Sequence, residues 1–208
     1  TPRGDQLRFI ICRLEAYLDF ANTSSAIGLQ RVALSATVGN PVQIANVFLG
    51  PGAEIIEVPG QLDIEARITV GDGDDRMRAE CAIASAAEMA DVQKLLVFVN
   101  SRKQVDAGTD YFRYGPFEQA NVYGHHGNLS KEERERVEER FRSDRRAVCV
   151  ATMTLEVGID IGDVDLVVCL DPPFSLSSFL QRIGRGCRRL NGRTRVVCVA
   201  RNRAGEIV

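Results

Sequence analysis

The stretch Leu95-Leu96-Val97-Phe98-Val99-Asn100-Ser101-Arg102 decides the fold class. Its first five residues form an apolar run of strand length, and Ser101 is a good N-cap for a helix that follows directly. The same order of a short apolar run and a helical segment repeats toward the end of the chain, with runs at residues 121–123, 147–152, 165–170 and 195–200. This alternation predicts an α/β fold in which helices cover both faces of a parallel sheet.

The residues before this stretch are less regular. Apolar side chains recur at helical spacing over residues 7–21, and Asn40-Pro41 is a typical start for a helix that reaches Phe48. An Ala-rich helix ending near Ala90 follows the linker-like residues 71–75. Apolar runs of strand length predict further strands at residues 30–36, 54–58 and 64–70.

The composition bounds the class of protein. The chain has 208 residues, of which 45% are hydrophobic and 26% charged, and its formal net charge is -2. These values suit one large or two small globular domains. Because the net charge is slightly negative, any contact with nucleic acid must use a local patch. No apolar run approaches the length of a membrane span, so no membrane partner is expected.

The cysteines argue against a metal site. Six of them are scattered along the chain without a C-x-x-C pair, and three lie within apolar strand-like runs: Cys149, Cys169 and Cys198. This usage is typical of reduced core thiols in a cytoplasmic protein. Neither zinc nor another resident metal is predicted.

Polar residues follow three of the predicted strands. They are Asn100, Ser101 and Arg102 after the first, Gly127 and Asn128 after the second, and Thr152 at the end of the third. Ligands gather at the carboxyl ends of strands in parallel sheets. Hydroxyl, guanidinium and backbone N–H groups can hold phosphate oxygens there. Purely structural roles stay open, since Ser101 is also an N-cap and Ser130 with Glu133 forms a capping box.

Arginines dominate the segment Gln181-Arg182-Ile183-Gly184-Arg185-Gly186-Cys187-Arg188. Arg185 and Arg188 are one helical turn apart, so both guanidiniums can face the same way. Such a pair beside a Gly-rich turn can stabilise the charge that develops in phosphoryl transfer. Upstream, Gly158 and Asp160 form a turn whose carboxylate could bind a ribose hydroxyl or hold an arginine.

Taken in order, these segments resemble the later motifs of superfamily 2 (DEAD/DEAH-type) helicases. Ser35-Ala36-Thr37 resembles motif III, residues 97–102 motif IV, residues 151–161 motif V and residues 181–188 motif VI. The sequences of residues 126–130 and 155–165 are similar to those of the Lhr-type, large helicase-related proteins. The ordered set covers nearly the whole chain, although Gly186 and Cys187 depart from the residues usual in motif VI.

The resemblance implies a RecA-like fold in two parts. Residues 1–59 would be the end of a first RecA-like domain, and residues 60–208 would be a second RecA-like domain. These 208 residues contain neither G-x-x-x-x-G-K-S/T nor D-E-x-H. The phosphate-binding loop and the Mg²⁺ ligands are therefore expected in a longer protein, outside this chain, and this chain alone is expected to be inactive. The predicted helix over residues 7–21 would lack its usual cover, so self-association of the fragment is expected.

The resemblance also assigns roles to residues. The parent protein would be an ATP-dependent helicase or translocase on single-stranded nucleic acid, with DNA (including DNA/RNA hybrids) favoured over RNA. Arg185, Arg188 and Gln181 would act on the phosphates of ATP, and Gly158 and Asp160 would line its ribose side. Ser35 and Thr37 would couple nucleotide state to domain closure. The strand backbone would be held by Asn100, Ser101, Arg102, Gly127, Asn128 and Thr152.

Two other classes remain open. A helicase-like module that binds nucleic acid or a partner protein without hydrolysis would also lack the phosphate-binding loop. A flavodoxin-like or Rossmann-type binder is disfavoured because no Gly-rich loop follows the first strand.

Overall fold

A computed structural model describes residues 2–21, 29–35, 40–57, 63–71, 74–89, 91–113, 117, 119–155, 161–186 and 193–200. The chain divides into two compact units, residues 1–60 and residues 61–208. The described residues of the first unit form two helices, α1 (Pro2–Ala21) and α2 (Pro41–Phe48).

The second unit is built on a six-stranded sheet. Its strands are β1 (Ile64–Val70), β2 (Lys94–Phe98), β3 (Asn121–His125), β4 (Ala147–Ala151), β5 (Leu166–Cys169) and β6 (Thr194–Ala200). The strand order is β1-β6-β5-β2-β4-β3, and every neighbouring pair is parallel. Between them lie α3 (Asp75–Ala87), α4 (Arg102–Phe112), α5 (Lys131–Ser143), a short 3₁₀ turn (Met153–Leu155) and α6 (Leu176–Ile183). The predicted α/β fold with a parallel sheet is confirmed.

Side-chain alternation along the strands produces a core on each face of the sheet. Leu95 and Val97 of β2 point into one core with residues of α3 and α4, whereas Leu96 and Phe98 point into the other with Phe141 of α5. Burying one such side chain fully stabilises the fold by about 1.5–3 kcal/mol. Helices therefore cover both faces, as the apolar runs predicted.

Capping residues fix where the helices begin. The Ser101 hydroxyl accepts the backbone N–H of Gln104 at 3.3 Å, and Asn40 caps the first turn of α2 at 3.0 Å. Ser130 and Glu133 form the predicted capping box, with hydrogen bonds of 3.2 Å and 2.9 Å. The hydrogen bonds from Ser130 lower the pKa of Glu133. All three predicted starts are confirmed.

Two predicted strands of the first unit are wrong. The described residues 29–35 and 53–57 have no regular secondary structure. Their apolar side chains lie in solvent, with Leu34 94% and Ile56 79% exposed. A strand needs a neighbour to satisfy its backbone groups, and these segments have none among the described residues of this unit.

Helix α1 carries its apolar residues on the outside. Leu7, Ile10 and Leu14 are 52%, 60% and 43% exposed, and a cavity of about 710 Å³ opens between α1, residues 30–35 and α2. Exposed apolar surface of this kind favours association. Self-association of the fragment stays a prediction. None of the helices within the described ranges is long and apolar enough to cross a membrane.

Candidate nucleotide and nucleic-acid site

The residues predicted to bind single-stranded nucleic acid lie at one edge of the sheet. Asn100 follows β2, Gly127 follows β3 and Thr152 follows β4, and these three strands are neighbours in the order β2-β4-β3. The backbone N–H of Thr152 donates to the carbonyl oxygen of His125 at 3.1 Å, which ties the ends of β3 and β4 together. Gly127 and Asn128 are exposed beside them. The sheet thus brings all three segments to its carboxyl edge.

Ser101 and Arg102 open helix α4 at this edge. Both side chains are exposed, and Ser101 donates its hydroxyl to the Gln104 side chain at 2.8 Å. The Arg102 guanidinium lies 3.8 Å from the carboxylate of Asp106, one turn along the helix. A pair this exposed is weak, so the Arg102 guanidinium can turn toward a phosphate at little cost.

Asn100 is embedded in a polar network. Its backbone N–H donates to Asp171 Oδ2 at 3.1 Å, and its side-chain amide donates to the carbonyl oxygen of Pro172 at 3.0 Å. Its amide oxygen accepts from Arg182 Nη2 at 3.1 Å. Because both ends of the amide are engaged inside the protein, Asn100 shapes the loop that presents Ser101 and Arg102.

The centre of this network is a buried ion pair that sequence reasoning missed. Arg78 and Asp171 have side chains only 2% exposed, and Arg78 Nη2 lies 2.9 Å from Asp171 Oδ1. Arg78 Nη1 also lies 3.1 Å from the carboxylate of Asp75. Arg182, fully buried, donates to the Asp171 carbonyl oxygen at 3.3 Å and lies 5.1 Å from the centre of the Phe98 ring. The network joins α3, the end of β2, the end of β5 and α6.

The candidate phosphate-binding segment follows α6 directly. Gln181 is half-buried on the helix, and Arg185 is buried, 8% exposed, in the turn after it. The backbone N–H of Arg185 donates to the carbonyl oxygen of Arg182 at 3.1 Å. Gly186 packs against β6 so closely that a Cβ there would lie 2.9 Å from Thr194 Cγ2. The glycine at this position is explained by that contact.

Four predicted site residues lie outside the described residues: Thr37, Gly158, Asp160 and Arg188. Their roles stay predictions. Ser35 is described and exposed in the first unit. Among the residues that the structure describes, no group of three or more His, Cys, Asp or Glu side chains is arranged to hold a metal ion.

Two adjacent histidines lie at the carboxyl edge of the sheet. His125 is fully buried, with Nε2 2.9 Å from Glu138 Oε1 and Nδ1 2.9 Å from the Thr154 hydroxyl. Burial lowers the pKa of His125, and the neighbouring Glu138 carboxylate opposes that change. His126, next in the chain, lies 3.8 Å from Asp106. The contact with Thr154 could not be predicted from the sequence, because His125 ends β3 and Thr154 follows β4.

Comparison with known proteins places this chain in a family. The model of the helicase conserved C-terminal domain matches residues 77–189, which include β2 to β5 and the arginine-bearing turn after α6. The chain belongs to the helicase conserved C-terminal domain family. Individual relatives of the chain also confirm the predicted resemblance to Lhr-type helicases.

One relative is the ATP-dependent helicase Lhr-Core of Methanocaldococcus jannaschii. It is 31% identical over 208 residues, which cover 96% of this chain and 23% of the relative. The solved structure of the Mycobacterium smegmatis helicase Lhr, bound to single-stranded DNA and AMP-PNP, is 28% identical with a TM-score of 0.72. That match covers 86% of this chain and 25% of the Lhr chain. The chain spans about a quarter of the length of these relatives.

A more distant structure supports the fold alone. The helicase MrfA, solved with DNA and AMPPNP, is 22% identical and has a TM-score of 0.72 over 96% of this chain and 28% of its own. Together with the parallel sheet, these similarities establish the RecA-like fold predicted from the sequence.

Proposed function

We propose that this chain is the second RecA-like half, with the end of the first, of an ATP-dependent helicase that moves along single-stranded nucleic acid. Its carboxyl edge holds the backbone of the strand, and the turn after α6 supplies arginines to ATP. The similar Lhr structure binds single-stranded DNA, which favours DNA over RNA as the substrate.

One observation carries this proposal. Arg182 is hydrogen-bonded to Asn100 at 3.1 Å, so the segment that bears Arg185 is attached directly to the loop that presents Ser101 and Arg102. A helicase has to connect a nucleotide-binding element with a strand-binding element. In this chain the two proposed elements share one hydrogen-bond network at the ends of β2 and β5, which supports the proposal.

The turn after α6 carries the positive charge and hydrogen-bond donors that suit the phosphates of ATP. Arg185 is permanently charged and is held by a turn that packs closely on β6, so its backbone is ordered before any nucleotide binds. Gln181 lies one turn earlier on α6 and would orient groups near the phosphates. Bound ATP with Mg²⁺ supplies the phosphoryl group, and the Mg²⁺ ligands would come from outside this chain.

The isolated chain should hydrolyse ATP no faster than background. Without a phosphate-binding loop and a water-activating acid, in-line attack on the γ-phosphate is not organised. Phosphate release should be measured with and without single-stranded DNA. A robust turnover that Arg185→Ala abolishes would show that these 208 residues contain a complete ATP site. That result would overturn the proposed division of labour.

Binding of a single strand should be weak, nearly independent of sequence and only shallowly dependent on salt. Phosphate contacts carry no base information, and few cationic contacts release few counterions. Labelled single strands of different sequence should be titrated at several salt concentrations. Thr152→Val should weaken binding to every sequence by a similar factor, because it removes the hydroxyl that is proposed to contact a phosphate of the nucleic acid.

Thr69→Val is the matched control for that variant, since Thr69 lies on β1, at the far edge of the sheet from β3. It should leave strand affinity unchanged. Tight binding with a strong sequence preference would mean that the surface reads base edges, and the translocase role of these residues would then be wrong.

A further inference from the structure

A chain of hydrogen bonds runs from the interior to the strand-binding edge. It begins at Glu138 on α5, passes through both ring nitrogens of His125 at 2.9 Å each, and reaches the hydroxyl of Thr154. The Thr154 hydroxyl lies 3.3 Å from the hydroxyl of Thr152. A Cβ on Gly127 would lie 3.7 Å from Thr154 Cγ2, so the chain ends next to two of the predicted strand contacts.

When His125 is neutral, its single ring proton determines which group donates in each of these hydrogen bonds. An ionised carboxylate can only accept, so Nε2 carries the proton toward Glu138 and Nδ1 is left as an acceptor. The hydroxyl of Thr154 then donates to Nδ1. With its single proton used, Thr154 can only accept from Thr152. The bond between the two hydroxyls then forms only when the Thr152 proton points inward, and in that arrangement the Thr152 oxygen offers the outside only its lone pairs.

A second proton on the His125 ring reverses the donor and acceptor roles between His125, Thr154 and Thr152. In the imidazolium ring both nitrogens donate, so Nδ1 donates to the oxygen of Thr154. Thr154 is then free to donate to Thr152, and the proton of Thr152 is free to donate outward. A phosphate oxygen accepts but cannot donate, so only this direction lets Thr152 donate to a phosphate while it keeps its hydrogen bond to Thr154.

We infer that His125 is a positioning residue whose protonation turns the Thr152 hydroxyl from an inward donor into a donor for the strand phosphate. The inference rests on the proposed contact between Thr152 and the strand. It goes beyond that contact, because it makes strand binding and the protonation of a buried group mutually favourable.

The surroundings of His125 set the pH range of this effect. Burial lowers the pKa of its ring, the hydrogen bond to Glu138 raises it, and the nearby cations Arg134 and His126 lower it. The ring of the free protein is therefore neutral at neutral pH. A phosphate bound at Thr152 stabilises the imidazolium form and raises the pKa of His125. The added affinity is complete below the pKa of the free protein and is lost as pH rises through the pKa of the bound protein.

The test is the dissociation constant for a poly-dT oligonucleotide, measured from about pH 5 to about pH 8. For the wild-type chain, affinity should fall by on the order of tenfold across this range, the size of one hydrogen bond to a charged group. Thr154→Val keeps the shape of the side chain but removes the hydroxyl that links His125 to Thr152. Its affinity for the oligonucleotide should therefore be low and should not change with pH. Thr154→Ser should restore the pH dependence.

His126→Gln separates this effect from a general gain of positive charge, since His126 is the other histidine of the chain. This variant should stay pH-dependent, with the fall in affinity moved to somewhat higher pH because the His126 charge lowers the pKa of His125. If His126→Gln abolishes the pH dependence, or if Thr154→Val retains it, the inference is wrong while the Thr152 contact stands. If Thr152→Val binds as well as the wild type at every pH, the proposed strand contact itself is wrong.

A second measurement does not depend on any variant. With only two histidines in the chain, the ring proton signals of His125 can be followed by NMR titration in the free and the strand-saturated protein. The pKa of His125 should be higher in the complex. An unchanged or lower pKa would overturn the inference directly.

Discussion

Replacing Arg185 by alanine in the full-length protein should lower its strand-stimulated ATP turnover by roughly a thousandfold or more. In phosphoryl transfer the protein contributes mainly positioned charge, so one arginine at the γ-phosphate can supply several kcal/mol of transition-state stabilisation, by our estimate about 4 kcal/mol. The affinity for single-stranded nucleic acid should change little, because Arg185 is assigned to the phosphates of ATP and not to the nucleic acid. Steady-state phosphate release and strand titration on the same preparation measure both quantities. Arg188→Ala should behave in the same way.

Arg193→Ala is the control for the loss of one positive charge near this segment. Its side chain is 57% exposed, and Nε lies 3.0 Å from the carboxylate of Asp63, the residue before β1. Turnover of this variant should stay within about twofold of the wild type, since exposed pairs contribute little. An Arg185→Ala protein with near-normal turnover and normal folding would remove Arg185 from the proposed ATP site.

Replacing Arg78 by methionine should destabilise the second unit by about 3–5 kcal/mol. Methionine fills similar space, but it leaves the carboxylate of Asp171 buried without its cation. That carboxylate still accepts the backbone N–H of Asn100, so the loss is not the whole cost of a bare buried charge. Urea unfolding followed by circular dichroism gives the change in the free energy of unfolding, provided that the slope with urea is unchanged.

Arg67→Met is the matched control, since Arg67 also pairs with a carboxylate, that of Glu88, at 3.2 Å. There the side chains are 39% and 73% exposed, and removing the pair should cost less than about 1 kcal/mol. Equal losses for the two variants would mean that the Arg78–Asp171 pair is not the buried anchor that the network requires. The same measurement on Arg182→Met should give a smaller loss than Arg78→Met, because Arg182 donates to two neutral acceptors, the Asp171 carbonyl oxygen and the Asn100 amide oxygen.

The sheet could be predicted from the sequence because its signals are local. Continuous apolar runs such as Leu95 to Val99 can only be buried on both faces, and serines before charged helical segments mark helix starts. The carboxyl-edge cluster followed from the same reasoning, since each polar segment comes directly after a strand.

Features that depend on distant parts of the chain could not be predicted. Asp171 and Arg78 are 93 positions apart (171 minus 78), and nothing near either residue signals the pair. The linker-like residues before α3 hide an N-cap, because the Asp74 carboxylate accepts the backbone N–H groups of Arg76 and Met77. The strand predicted at residues 30–36 failed for the opposite reason. Its local pattern was favourable, but a strand also needs a neighbour, which sequence spacing does not report.

The proposal that the carboxyl edge of the sheet binds nucleic acid is tested most directly by mapping the backbone amides that respond to a single-stranded oligonucleotide. The ¹⁵N-labelled chain should be titrated with an oligonucleotide and followed by NMR. We expect the largest shifts at residues 100–102, 126–128 and 152–154, the three segments at the carboxyl edge of β2, β3 and β4. Shifts confined to the outer faces of α3 and α5, with those three segments unchanged, would contradict the proposal.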